Sequence, residues 1–328
     1  MKISIIVPIY KVEEQIIRCL GSVIKQSHSD IELIIVNDCS PDNSYQIALD
    51  FLKENCFLSQ TVALEHSSNR GLSEARNSGL SVATGDYLFF LDSDDSLTTQ
   101  DSISNLVKVA EQYHFPDLVI GSYQDISDNE VLGKHCLQDI YYKDQQSLYS
   151  AYASKKGIYW SACGRLIKRK LIDKNRLVFY PRLYSEDILW SFNLFRVAQN
   201  AYLSSEIVYN YYHRPGSIMS SLTEKHLDGL GIILQEMYQS FLNNKEFYSN
   251  ETVSLIERYR RLYLQYLFLL EDKGTQYRKE KVSFLKEIRV PLVLNNSKYL
   301  RQGLLLRMPT TYIVKYLEFK WKDKKYRH

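Results

Sequence analysis

The chain has 328 residues, with 41 Lys and Arg against 38 Asp and Glu, a net charge of +3, and 45% hydrophobic and 24% charged residues. These values exclude a disordered, collagen-like or coiled-coil chain and leave room for one large or two small domains with real cores. Tyr is overused, 26 times, and 22 of these lie beyond residue 120.

Ile3–Ile9 is a continuous apolar run and reads as a strand buried on both faces. Glu13–Gln26 carries Ile16, Ile17, Leu20, Val23 and Ile24 at helical spacing. Ile31–Val36 is a second buried strand, and Asn43–Asn55 a helix announced by Ser40, Pro41 and Asp42. Thr61–Leu64, Asp86–Leu91 and Leu118–Ser122 read as strands, Leu72–Ala83 and Ile103–His114 as helices. Such alternation predicts βαβ units, hence an α/β fold with a mostly parallel sheet and helices on both faces. Further on, Gln124–Gln138 is polar and turn-like, as in a hairpin. Ile188–Ala198 looks helical, Ala201–Tyr211 strand-like, and residues from about 221 to 290 keep a helical period.

The five Cys show no CxxC spacing, which argues against a disulfide framework or structural zinc and fits a reducing cytoplasm. The apolar N-terminal run is too short for a signal peptide, and no stretch is long enough to span a bilayer, so membrane contact is expected to be peripheral.

In an open parallel sheet, ligands bind beyond the carboxyl ends of the strands. The first strand ends in Pro8, Ile9 and Tyr10, with Glu13 close behind, and the second in Asn37, Asp38, Cys39 and Ser40. The third leads to His66, Asn69, Arg70 and Gly71, and the fourth to Asp92, Ser93, Asp94 and Asp95. The first turn lacks GxGxxG and the chain lacks a Walker motif, so a nucleotide must be held another way. Asp92-Ser93-Asp94-Asp95 is a hard-oxygen cluster suited to Mg²⁺ or Mn²⁺ shared with a substrate phosphate; helix capping is the competing reading. Asp38 is an acceptor matched to the imide N–H of uracil, or to guanine, unless it caps the next helix. Arg70 and Arg76 suit a diphosphate, or else structural ion pairs, Arg76 with Asp92.

Together these segments resemble the inverting family 2 glycosyltransferases of the GT-A fold, of the kind that build bacterial surface polysaccharides such as O-antigen or capsule. The matching pieces are Ile5-Ile6-Val7-Pro8-Ile9-Tyr10, Val36-Asn37-Asp38-Cys39-Ser40 with Asp42 and Ser44, Asn69-Arg70-Gly71 with Ala75-Arg76-Asn77, and Phe90-Leu91-Asp92-Ser93-Asp94-Asp95. The family usually has Gly where Cys39 stands and often Asp at Asn37. The resemblance implies that Asp38 reads uracil in a pocket lined by Pro8, Tyr10 and Glu13, with Asn69, Arg70 and Arg76 toward the base or diphosphate. It implies a DxD motif in Asp92-Ser93-Asp94, Asp94 being the direct metal ligand and Asp92 nearer the ribose. Ser185-Glu186-Asp187-Ile188 is similar to the family's ED motif, whose Asp is the catalytic base. Tyr211-Tyr212-His213-Arg214-Pro215-Gly216-Ser217-Ile218 is similar to a downstream segment that places His213 and Arg214 by the metal or diphosphate. Bare, Glu186 and Asp187 also read as an acidic first helical turn, and His213 as a surface loop residue.

The resemblance implies a metal-dependent transferase. It moves a hexose or N-acetylhexosamine from a UDP-sugar, with inversion, to a glycan hydroxyl. The acceptor is expected to be a lipid-diphosphate-linked saccharide at the inner face of the plasma membrane. The expected organisation is a catalytic domain over 1–220, divided into a nucleotide-sugar half (1–120) and an acceptor half (121–220), then a helical region over 221–328. In the acceptor half, Trp160, Tyr159 and Asp95 are the candidate acceptor contacts; core packing with a polar tip is the alternative for any Tyr. Residues 251–328 hold 18 Lys and Arg against 8 Asp and Glu, and the last stretch interleaves Arg301, Arg307, Lys315 and Lys320 with Tyr312, Tyr316 and Trp321. That pattern predicts contact with an anionic membrane surface, or else a solvated helix face. No nucleic-acid partner is expected beside an acidic body, and the oligomeric state stays open. Two other functions compete: a nucleotidyltransferase, which would want a Gly-rich basic first turn, and a non-catalytic sugar-binding module, which would release no UDP.

Overall fold

The structure is a computed structural model and describes residues 1–128, 130–154, 158–213, 222–243, 249–270, 273–291 and 297–322. The chain forms two compact units, Met1–Pro215 and Gly216–His328.

The first unit is built on one sheet. Its N-terminal half follows the alternation: β1 (Ile3–Ile9), α1 (Ile16–Ile24), β2 (Ile31–Asn37), α2 (Ser44–Glu54), β3 (Thr61–Glu65), α3 (Leu72–Val82), β4 (Tyr87–Phe90). Strands β3, β2, β1 and β4 are parallel neighbours. Every residue of β1, β2 and β4 is buried, as continuous apolar runs require when helices cover both faces. Gly79 of α3 lies so close to β1 that an added Cβ would come within 2.4 Å of Ile6.

Helix α1 starts later than Glu13 and turns Ile17 outward, burying Ile16, Cys19, Leu20 and Val23 instead. The chain entering it is a turn with Lys11 at φ 54°, and Glu13 accepts the backbone N–H of Asn43, tying the first mouth to the second.

The remaining elements of this unit are β5 (Ser96–Leu97), α4 (Ser102–Gln112), β6 (Leu118–Ser127), β7 (Glu130–His135), β8 (Ile140–Tyr142), α5 (Gln145–Ala153), β9 (Arg165–Lys168), α6 (Arg169–Asn175), α7 (Glu186–Val197) and β10 (Ala201–Tyr212). The expected hairpin is β6–β7, antiparallel. Strand β9 runs antiparallel between β4 and β6, and β10 runs parallel to β6 and antiparallel to β5. The sheet order is β3-β2-β1-β4-β9-β6-β10-β5. Short β9 thus joins the nucleotide-type half to the second half.

The second unit is helical: α8 (Glu224–Asn243), α9 (Ser249–Leu269), α10 (Thr275–Glu287), α11 (Ser297–Leu305) and α12 (Thr310–Lys322). Leu227, Leu230, Ile233, Leu234 and Met237 of α8 are buried, as are Leu255, Ile256 and Tyr259 of α9. A buried Glu257–Arg260 ion pair sits in this core, with Gln302 donating to Glu257 at 2.8 Å. No helix among the described residues is long and apolar enough to cross a membrane.

Candidate active site

Helix α3 brings one side chain, Arg76, beneath the carboxyl end of β4. Its guanidinium is 0% exposed and meets three carboxylates. Nη2 donates to Asp92 Oδ1 at 2.7 Å, and Nη1 donates to Asp187 Oδ1 at 2.7 Å and Glu186 Oε1 at 2.9 Å. Phe90 and Phe179 flank the charge, the latter with its ring 5.1 Å away, and Trp190 stacks on Phe179. The site is therefore an acidic cluster closed from behind by aromatic rings. Asp92 follows β4, whereas Glu186 and Asp187 form the first turn of α7, whose N-terminus favours negative charge. Ser185 enters that turn at φ 62°, in the left-handed region.

One guanidinium cannot neutralise three carboxylates. Burial, then the charge of Asp187, pushes the Glu186 carboxyl up to about 7, against the opposing pull of Arg76. Burial also raises Asp187, with Arg76 the main influence holding it down. A second buried arginine, Arg165 on β9, lies within electrostatic range of Asp187 and donates to the Tyr159 carbonyl at 2.9 Å. Its Nε and Nη1 have no hydrogen-bond partner among the described residues. Nothing in the sequence flagged Arg165, which sits in a four-residue strand.

The nucleotide-side residues gather as expected but with different duties. Asp38 is 3% exposed. Its Oδ1 accepts from Arg70 N at 2.8 Å and pairs with His66 Nδ1 at 2.7 Å, and its Oδ2 accepts from Gly71 N at 2.7 Å. Asp38 is thus not a helix cap; it holds the Asn69-Arg70-Gly71 loop, where Gly71 has φ 91°. Three of its roughly four acceptor sites are used. The Ser40 and Ser44 hydroxyls donate to Asp42 and accept the backbone N–H groups of Lys11 and Val12. Cys39 has φ 53°, which explains the family's preference for Gly there. Tyr10 is exposed and Pro8 buried at the end of β1.

Several expected contacts are corrected. Arg76 does not face outward toward a base or diphosphate; it is buried in ion pairs. Arg70, in the loop before α3, pairs with Glu74 of that helix at 2.6 Å. Asp95 is buried, not presented to an acceptor: Tyr209 donates its hydroxyl at 2.6 Å and Tyr212 its backbone N–H at 2.8 Å. Tyr159 uses its hydroxyl on the carbonyl of Gly121, and that same hydroxyl would lie 2.6 Å from a Cβ at Gly164. Trp160, by contrast, is 47% exposed, its carbonyl held by Ser191 of α7. His213 does not join the carboxylates. It pairs with Asp125 at 3.3 Å, and His135 approaches the same Asp125 at 2.5 Å. Ser93 is buried in the acidic loop. Arg214 lies outside the described residues.

Asp92 and Asp94 are hard oxygen donors of the type Mg²⁺ and Mn²⁺ select. Arg76 takes Asp92 Oδ1 and leaves Oδ2 outside the ion pair, and Asp92 is 29% exposed. No group of three or more metal-capable side chains occurs among the described residues. The pair fits a divalent ion that completes its shell with water and phosphate, not an all-protein cage.

The sequence model of one family, Glycosyl transferase family 2, matches residues 4–176, more than half of the chain. The chain belongs to glycosyltransferase family 2. It is 31% identical over 241 residues to the uncharacterized glycosyltransferase EpsJ of Bacillus subtilis, a match covering 73% of this chain and 68% of EpsJ. It is 32% identical over 237 residues to the glycosyltransferase GlyA of Streptococcus pneumoniae, covering 70% of this chain but only 33% of GlyA. The crystal structure of S. aureus TarS 1-349 in complex with UDP-GlcNAc is similar over 99% of this chain and 92% of that one, with a TM-score of 0.78 at 20% identity. The fold of this family 2 enzyme is thereby the GT-A fold, carried on a mostly parallel sheet with a helical C-terminal region.

Proposed function

We propose that this glycosyltransferase moves a hexose or N-acetylhexosamine from a UDP-sugar to a hydroxyl of a glycan acceptor, with inversion, in bacterial surface polysaccharide synthesis. One observation carries the reading: Asp92, Glu186 and Asp187, from distant parts of the chain, meet on buried Arg76 at the carboxyl end of the sheet. The UDP-GlcNAc bound by TarS on the same fold supports a UDP-sugar donor.

In this reading Asp187 is the general base. It takes the proton of the acceptor hydroxyl as that oxygen attacks the anomeric carbon from the face opposite the leaving UDP. A single displacement inverts configuration. Arg76 holds Asp187 in one orientation and favours its ionised form. Burial raises both carboxyls of the pair, Glu186 to about 7. Asp38 reads uracil with its remaining acceptor site, beside Pro8, Tyr10 and Glu13, and Asn69 shapes that pocket. Asp94 and Asp92 hold Mg²⁺ or Mn²⁺, which when bound supplies positive charge for the departing diphosphate. Trp160 offers an exposed ring for stacking on the acceptor sugar.

The test is UDP release from a panel of UDP-sugars with and without Mn²⁺. Asp187→Asn is expected to lose about 10²–10⁴ in turnover, the usual contribution of a positioned base, while UDP binding by calorimetry persists. Near-normal turnover in that variant would remove Asp187 from the mechanism. Asp94→Ala is expected to abolish the metal-dependent part of UDP binding.

A further inference from the structure

The helical unit presents an outward row that ordinary helix packing does not call for. Helix α12 already has an inward stripe, Ile313, Val314 and Leu317, all buried. A solvated opposite face would carry polar residues. Instead Tyr312 and Tyr316 of α12, Met308 in the turn before it and Leu304 of α11 are each between 40% and 50% exposed. The rings of Tyr312 and Tyr316 lie parallel, with centroids 6.4 Å apart. Arg301, Arg307 and Lys315 are exposed along the same stretch. The single acid between residues 297 and 322 is Glu318, which is drawn aside by Arg278 at 3.2 Å. The row is therefore apolar, aromatic and uniformly basic.

We infer that this face docks on the surface of an anionic lipid bilayer. Tyrosine rings settle at headgroup depth, Leu and Met enter the acyl boundary, and the long basic side chains reach phosphate groups from there. Three bases, Arg301, Arg307 and Lys315, against one acid, Glu318, between residues 301 and 318 match a negatively charged surface rather than a second copy of the same basic face, which would repel it. The helices are also too short and too polar to cross a bilayer, so they lie along it.

The experiment is co-sedimentation of the full chain with vesicles of phosphatidylcholine alone and of phosphatidylcholine mixed with phosphatidylglycerol. The protein is expected to pellet with the mixed vesicles at low salt, to be released as salt rises, and to ignore phosphatidylcholine alone. A triple variant, Arg301→Gln with Arg307→Gln and Lys315→Gln, should weaken binding roughly a hundredfold, from three basic contacts. Leu304→Ser with Met308→Ser, Tyr312→Ser and Tyr316→Ser should abolish pelleting. Circular dichroism melting and UDP release, both expected to match the parent, report that these variants are folded. Failure of the parent to pellet with anionic vesicles, or pelleting of both variants like the parent, overturns the inference. So does a concentration-dependent dimer by light scattering that the serine variant dissolves without any vesicle binding.

Discussion

At the residue scale, the site turns on a single guanidinium. Asp92, Glu186 and Asp187 all lean on Arg76, whose burial would be prohibitive without them. Removing one partner of a buried ion pair typically costs about 3–5 kcal/mol, so Arg76→Met is expected to lower the thermal midpoint sharply. Arg76→Lys should be nearly as damaging, because one ammonium cannot bridge three carboxylates as a planar fork does. Arg76 also holds the Asp187 carboxyl down. Any Arg76 variant that still folds should therefore show the acid limb of its pH–rate profile moved to higher pH. Glu186 has its own signature. Its folded-state value of about 7 lies above the usual 4.5. The fold thus prefers the protonated form: its stabilising contribution is complete below about pH 4.5 and is lost as pH rises through 7. Glu186→Gln removes that dependence, so the midpoint difference between variant and parent should grow in the variant's favour from acid to mildly alkaline pH.

At the element scale, the second half of the sheet is pinned by polar contacts rather than by long strands. Strand β5 has two residues, yet Asp95 just before it accepts from Tyr209 and Tyr212 at both ends of the β10 segment it faces. Asp95→Ala removes the acceptor of the buried Tyr209 hydroxyl and of the Tyr212 backbone N–H. An unsatisfied buried group costs about 1–3 kcal/mol, so a lowered urea midpoint is expected, with UDP binding reduced only through stability. This is also where the sequence stopped being legible. Strands β1, β2 and β4 and the helices between them follow from apolar period alone, because burial on both faces leaves a continuous run. Strand β9 is four residues, and nothing local says that it inserts antiparallel between β4 and β6. Helix α5 has a local signal in the sequence: Asp144 caps it by accepting from Ser147 N at 2.9 Å. The site divided in the same way. Its acidic members were visible as clusters at strand and helix ends, and so was the pairing of Arg76 with Asp92, whereas the pairs of Arg76 with Glu186 and Asp187 span 110 and 111 residues and leave no local trace. The surplus of Tyr, expected near an acceptor, is largely structural. Between residues 121 and 213, Tyr149, Tyr152, Tyr202 and Tyr209 are buried, and among the described residues there Trp160 and Tyr180 are the exposed Trp and Tyr rings.

At the scale of the whole molecule, the near-neutral total charge conceals two units of different character. The first gathers carboxylates at its sheet ends, and the second carries a basic outer row. The position of β10 has a practical bearing on how such a protein is dissected. The family match ends at residue 176, but β10, residues 201–212, sits inside the sheet between β6 and β5. Glu186 and Asp187 also lie past that point, so a fragment ending there keeps only Asp92 of the three carboxylates that meet Arg76. A fragment 1–176 is expected to expose β6 as a bare edge and to be insoluble or protease-labile, whereas a fragment 1–215 keeps every strand. Limited proteolysis of the two, expressed side by side, distinguishes them. The sheet of this enzyme is thus completed by residues that lie beyond the stretch the family's sequence model matches.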